Sequence, residues 1–286
     1  MIIGQNNNIS LIKQLKMEMN LKPFILVSGP KNSGKKYLCK EIANILNYSY
    51  MFIDSSINDI REMIKEAYTR QLNRLFIIPN IEDLNFRAQE AILKITEEPP
   101  AGCILVGTSN NIDLLKPTLK NRAYIIRMEK YRKEDLINYS IKKKYDISDK
   151  SLIGNVIYSP TLIDYYFEDN NNRYKKYKSE IKKWFENICI ISAGNALKAV
   201  SLFNIKSDKT EGIEFDNFLL WLSESMTSNS IYKFARCLAE LSLLCLSYRN
   251  QYNYNGINKE HLIKDFIIKF RQTSKKYEFN GFTKSD

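Results

Sequence analysis

Short apolar runs punctuate the first 130 residues: Lys22–Ser28, Ser49–Asp54, Arg74–Pro79, Cys103–Thr108 and Ala123–Met128. Runs of this length without strict alternation predict strands buried on both faces. Between them, Tyr37–Leu46, Asn58–Arg70 and Phe86–Glu97 carry apolar residues at helical spacing. The last of these must stop near Pro99-Pro100, because proline disfavours helical geometry in the residue before it. Strands alternating with helices predict a parallel sheet covered on both faces.

Beyond about residue 130 the period changes. Arg132–Tyr145, Lys150–Tyr158 and Thr161–Phe167 read as short helices, ended by the polar stretch Asp169-Asn170-Asn171-Asn172. From Arg173 onward the pattern is helical throughout. Phe234, Cys237, Leu241, Leu244 and Tyr248 form one stripe, and Leu262, Ile263, Phe266, Ile267 and Phe270 form another. The expected organisation is an α/β domain over residues 1–129, a small helical domain over 130–171 and a helical domain over 172–286.

One segment carries recognisable chemistry. Gly29-Pro30-Lys31-Asn32-Ser33-Gly34-Lys35 completes all but the last position of a phosphate-binding loop, and Lys36 stands where that pattern has Ser or Thr. Its glycines allow backbone N–H groups to turn around phosphate oxygens while the lysine reaches the terminal phosphates. The hydroxyl would coordinate Mg²⁺, which a lysine cannot do. An apolar run leads into the loop and a helical pattern leaves it, which is the context that gives the motif its meaning.

Composition narrows the remaining choices. No apolar run is long enough to span a bilayer, and the N-terminus lacks the charged and apolar regions of a signal peptide, so a cytoplasmic protein without membrane contact is expected. The cysteines Cys39, Cys103, Cys189, Cys237 and Cys245 form no C-x-x-C pair and read as buried thiols of a reducing compartment. A single histidine, His261, excludes His-rich metal sites and reads as a surface residue. The net charge of +11 is spread over both halves of the chain and favours polyanionic partners. Arg173–Trp184 interleaves basic and aromatic residues, but Tyr177, Ile181, Trp184 and Phe185 share a helical face and read as core. Lys142-Lys143-Lys144 reads as a solvated helix face.

The order of motifs resembles the clamp loaders of bacterial and phage replicases, within the AAA+ superfamily. Ile3-Gly4-Gln5 looks like that family's opening box, and Asn58-Asp59-Ile60-Arg61-Glu62-Met63-Ile64 is similar to its Ile-Arg helix. Ala88-Gln89-Glu90-Ala91-Ile92-Leu93-Lys94-Ile95-Thr96-Glu97-Glu98-Pro99-Pro100 closely resembles its segment ending in Glu-Glu-Pro-Pro. Leu114–Arg122 is similar to the stretch that carries its arginine finger. The resemblance implies a P-loop NTPase sheet of AAA+ type, a small helical lid and an all-helical C-terminal collar. It implies nucleotide contact, with ATP or ADP, by Gly29, Pro30, Lys31, Asn32, Ser33, Gly34, Lys35 and Lys36, and a phosphate-sensing role for Thr108. Partners would be other clamp-loader subunits in a hetero-oligomer, expected to be a pentamer, with the sliding clamp and primed DNA.

The departures are equally informative. In hydrolysing members the third strand ends in Asp-Glu, where Asp holds Mg²⁺ and Glu polarises water. Here Ile77-Ile78 is followed by Pro79-Asn80. Glu82 and Asp83 follow at the wrong spacing and read as a solvated turn. No lid arginine stands near Ser159-Pro160 or Gly194-Asn195, where only Lys198 offers a substitute. The Cys₄ zinc module of bacterial homologues is missing, so neither zinc nor any other resident metal is expected, and Mg²⁺ only alongside a nucleotide. The expectation is a delta-prime-like stator that presents Arg122 to a neighbour's ATP without hydrolysing its own. Alternatives are an active motor recruiting Glu82 or Asp83, and a DNA-binding adaptor with a vestigial nucleotide site.

Overall fold

The computed structural model describes residues 3–69, 73–145, 147, 152–168, 172–190, 215–228, 234–252 and 256–279. They form two compact units. The first comprises residues 1–144 and 158–164, the second residues 145–157 and 165–286.

The first unit is built on a sheet of five parallel strands in the order β2-β3-β4-β1-β5. The strands are β1 (Phe24–Ser28), β2 (Ser49–Phe52), β3 (Arg74–Ile78), β4 (Cys103–Ser109) and β5 (Tyr124–Arg127). Each lies inside a run that the apolar pattern marks, except that β4 continues one residue further, to Ser109. Strand parity sorts the side chains to opposite faces. Phe24, Leu26, Phe76 and Ile78 join Ile60, Met63 and Ile92 in one cluster, beneath α3 (Ile57–Thr69) and α4 (Phe86–Glu97). Ile25, Val27, Leu75 and Ile77 join Ile12, Leu38 and Ile42 in the other, beneath α1 (Asn6–Met17) and α2 (Lys35–Leu46). The edge strand β2 departs from this scheme, since all four of its residues are exposed.

Because every strand is parallel, the carboxyl ends of β1, β3, β4 and β5 converge on one side of the sheet. That is where open α/β sheets place ligands. A 3₁₀ turn, Ile81–Asp83, folds back there after β3. It approaches β4 so closely that a Cβ on Gly107 would meet Ile81 Cδ1 at 2.9 Å. The short helix α5 (Pro117–Arg122) leads into β5, and α6 (Lys133–Lys142) follows it.

Helix α7 (Pro160–Phe167) ends the first unit's return segment and enters the second unit, which holds α8 (Asn172–Ile190), α9 (Phe215–Ser228), α10 (Ala235–Tyr252) and α11 (Lys259–Lys276). An aromatic core holds these together. Phe266, fully buried, contacts Trp184, Phe215, Tyr248 and Phe270. Trp221 Nε1 donates to the Tyr166 hydroxyl at 3.2 Å. Tyr177, Ile181 and Trp184 of α8 are buried, as the helical reading of Arg173–Trp184 expects, and Tyr174 is buried with them. His261 is exposed near the start of α11, where its N–H donates to the capping Asn258 side chain. Phe185, Cys189, Gly194, Asn195 and Lys198 lie outside the described side chains or residues.

The expected helix over Lys150–Tyr158 does not form across residues 152–157. They make turns and a bridge between Ile153 and Ile157, with Gly154 at φ +100°. Gly154-Asn155 favours left-handed and turn geometry over helix, which outweighs the apolar spacing. Helix α1 was not signalled by the strand-and-helix alternation, because its buried positions are few and its sequence opens on Asn6-Asn7-Asn8.

Candidate nucleotide site and the separate arginine

The phosphate loop joins β1 to α2. Gly29 N donates to Ser109 O at 3.1 Å, tying the loop's start to the neighbouring strand. Space there is small: a Cβ on Gly29 would meet Met128 Cβ at 2.7 Å. Asn32 at φ +61° and Gly34 at φ +87° take left-handed conformations, and Gly34 caps α2. The loop therefore has the reversals that aim backbone N–H groups and the helix N-terminus at an anion.

Its carbonyls are held by side chains, one after another. Lys35 Nζ donates to Gly29 O at 2.8 Å and Pro30 O at 2.7 Å. The Tyr158 hydroxyl donates to Lys31 O at 2.8 Å, Ser159 Oγ to Asn32 O at 2.6 Å, and the Tyr131 hydroxyl to Ser33 O at 3.1 Å. Consecutive carbonyls from Gly29 to Ser33 are thus clasped by donors from α2, from the segment after β5 and from the return segment before α7. Ser159 also accepts from Leu162 N and so caps α7.

Lys35 is the charged centre. It is 7% exposed, and burial lowers its pKa from 10.5 to about 8, opposed by the nearby Glu82 carboxylate. It also donates to Asn110 Oδ1 at 2.9 Å. Asn110 connects the carboxyl ends of β3 and β4. Its N–H donates to Glu82 Oε1 at 2.7 Å, and its Nδ2 donates to Asn80 Oδ1 at 3.2 Å. Thr108, fully buried, accepts from Asn80 N at 3.0 Å. Cys39 on α2 is buried, and desolvation pushes its thiol up to about 12, so it is inert as a nucleophile.

Glu82 corrects the expectation of a solvated turn. Asp83 is exposed, but Glu82 is only 8% exposed, and its Oε2 has no hydrogen-bond partner among the described residues. The 3₁₀ turn, with Asn80 at φ +47°, swings Glu82 inward beside Lys35. Sequence spacing gives no sign of that reversal.

The structure gathers Gly29 through Lys35, with Thr108, around this network. Lys36 is different: it is exposed, with Nζ over the Phe52 ring at 6.0 Å. Arg122 is separate as well. It ends α5, where its guanidinium donates to Thr118 O at 2.8 Å and pairs with Glu97 at the end of α4. Beside the loop opens a cavity of about 570 Å³, whose walls include Ile3, Gly34, Tyr37, Tyr131, Pro160 and Asp164. Gln5 braces this side by exchanging hydrogen bonds with the Glu129 backbone, both at 3.0 Å. Tyr131, Tyr158, Ser159, Asn110 and Gln5 carry no motif signal of their own, except that Gln5 closes the opening box.

The donor set sorts the chemistry. Loop, helix terminus and Lys35 fit a phosphate group. Lys36 and Pro79 offer no oxygen where a metal would be held, and among the described residues no cluster of three His, Cys, Asp or Glu exists to hold one. No step through a metal follows.

A five-stranded parallel sheet in this order, with a phosphate loop after β1, between β4 and β5 in the sheet, is the AAA+ form of the P-loop NTPase fold. Residues 51–132 match the family described as DNA polymerase III, delta subunit. The chain is 28% identical over 139 residues to the DNA polymerase III subunit delta′ of Buchnera aphidicola subsp. Schizaphis graminum, covering 46% of this chain and 42% of that protein. It is 23% identical over 136 residues to the DNA polymerase III subunit tau of Bacillus subtilis, covering 37% and 24%. These relatives are DNA polymerase III subunits, similar to this chain at low identity, and the matches span less than half of this chain and of either relative. Among solved structures, a DNA polymerase III gamma subunit-related protein of Thermotoga maritima superposes with a TM-score of 0.47 at 16% identity, covering 92% of this chain and 99% of that one. The RuvB Holliday junction branch migration motor of Thermotoga maritima gives 0.46 at 18%, covering 80% and 77%.

Proposed function

We propose that this chain is a delta-prime-like stator of a clamp loader: a subunit that works beside ATP-hydrolysing relatives while a sliding clamp is set on primed DNA. It would act in a hetero-oligomer, as a pentamer. The observation that carries the reading is the split between loop and metal positions. Lys35 and the loop backbone are built for phosphate, whereas Lys36 points to Phe52 and Pro79-Asn80 replaces the acid pair. Phosphoryl transfer in P-loop proteins needs the metal, its ligands and a group that positions water, as well as the lysine. The loop would therefore hold ATP or ADP without turning it over, its base in the cavity beside Gly34 and Tyr131. Arg122, away from the loop's own hydrogen bonds, would serve a neighbour's ATP.

A second reading, an active motor, draws on one observation: the inward, partly unpartnered Glu82 beside Lys35. ATP turnover by the purified chain with Mg²⁺ and primed DNA separates the two. The stator reading expects none; turnover abolished by Lys35→Ala and by Glu82→Gln would replace it with the motor.

A further inference from the structure

The edge strand β2 and the outward face of α2 together make a patch that meets the cavity beside the loop only along Tyr37 and Lys40. Tyr37 is 60% exposed, Tyr50 42%, and Met51 and Phe52 37% each. Lys40 Nζ lies at the centre, 5.8 Å from the ring centroids of Tyr37 and Tyr50 and 5.7 Å from that of Phe52. Tyr50 and Phe52, two apart on one face of the strand, meet edge to face at 6.0 Å. Lys36 approaches Phe52 from the loop side. A shallow depression of about 250 Å³ is lined by Lys36, Tyr37, Lys40 and Phe52, and no carboxylate lines it. Among the described residues neither ammonium is in an ion pair.

Water-exposed aromatic rings around unpaired cations need a reason, since each exposed ring leaves a large apolar area in water. We propose that this face binds single-stranded nucleic acid, with Lys36 and Lys40 against phosphates and Tyr37, Tyr50 and Phe52 offering rings to bases. The pairing of cation with ring is that of sequence-tolerant single-strand binding. The net charge of +11 acts in the same direction. Strand addition by a partner peptide is less well served, because β2 is only four residues long and short edges are a device against such pairing. The proposal does not depend on nucleotide binding or on Arg122.

The test is fluorescence anisotropy of labelled (dT)₂₀ titrated with the full chain at 50 and 200 mM salt, beside a 20-base-pair duplex, a poly-glutamate chain and a sizing run of the protein alone. Binding to (dT)₂₀ is expected to be tighter than to the duplex. Lys40→Ala should lower the slope of log affinity against log salt by about 0.7, the value of one single-strand phosphate contact. Tyr50→Ala should weaken binding about 5- to 150-fold with the slope unchanged, the range for one stacked base. Lys264→Ala, on the second unit, should change neither affinity nor slope. Tyr50→Phe keeps the ring and should bind as the parent does, which separates stacking from loss of fold. The proposal is overturned by failure to bind (dT)₂₀, by equal binding to duplex, or by indifference to Lys40→Ala and Tyr50→Ala. Poly-glutamate binding at the same face in preference to (dT)₂₀, or a dimer broken by Tyr50→Ala, would also overturn it.

Discussion

Glu97, the last residue of α4, accepts a hydrogen bond from Arg122, the last residue of α5, whose guanidinium also donates to the Thr118 carbonyl. Both side chains are partly exposed, 32% for Arg122 and 49% for Glu97. An exposed pair of this kind contributes about 0–1 kcal/mol. The contact sets the direction of the guanidinium without committing it, and a stronger anion nearby would displace the carboxylate.

Glu97→Ala should therefore lower the melting temperature by no more than about 3 °C, the shift that about 1 kcal/mol produces in a chain of this size. In an assembly with an ATP-hydrolysing relative, Arg122→Ala should slow the neighbour's turnover by about 10³-fold or more, the contribution typical of an arginine supplied in trans. Unchanged turnover in an assembly that still forms would remove Arg122 from the mechanism.

Lys35 gives a pH signature. Its folded pKa, about 8, lies below the ordinary 10.5. Between those values the folded chain binds fewer protons than the unfolded one, so stability rises with pH through this window, by up to about 3 kcal/mol at full shift. Below pH 8 the penalty for the buried charge is complete. Phosphate binding needs the charged form and raises its pKa. ADP affinity should thus be flat below pH 8 and fall about tenfold per pH unit above it. Calorimetry at pH 7, 8.5 and 9.5 reads this directly, and Lys35→Met should abolish the trend in stability.

The clasp on the loop carbonyls is open to the same treatment. Tyr158→Phe and Ser159→Ala each remove one donor, at about 1 kcal/mol per hydrogen bond. Hydrogen exchange across residues 29–34 should speed up about fivefold in each variant, while β4 stays protected. Equal protection in both variants would show that the loop keeps its shape unaided.

In the second unit the aromatic core should dominate stability. Phe266→Ala leaves a cavity among Trp184, Phe215 and Phe270 and should cost about 3–5 kcal/mol. A melt monitored by far-ultraviolet circular dichroism should show a drop of roughly 10 °C. A shift below 2 °C would mean the cluster repacks.

Strands and major helices were legible because burial on both faces writes itself as apolar runs, and the loop because its glycines have a fixed spacing. The site's outer half was not. Tyr158 and Ser159 reach the loop from 127 residues away, and a hydroxyl that donates to a backbone carbonyl leaves no periodic mark. Glu82 illustrates the same limit at short range. Its burial depends on the left-handed Asn80 before it, and asparagine is compatible with either direction of travel. The residues 152–157 failed in the opposite sense, since apolar spacing imitated a helix where Gly154 sets a turn. The exposed β2 reads as an ordinary strand for a similar reason: its composition suits burial, and only its place in the sheet order puts it at the edge.

The route of the chain through its two units has a practical consequence. Tyr158 and Ser159 belong to the first unit, but residues 145–157 of the second unit precede them. A shortened protein ending at Lys144 would keep every strand of the sheet and lose two of the hydroxyls that hold the loop. No single cut yields the first unit whole; its smallest faithful version must skip the intervening segment with a linker and resume at Tyr158.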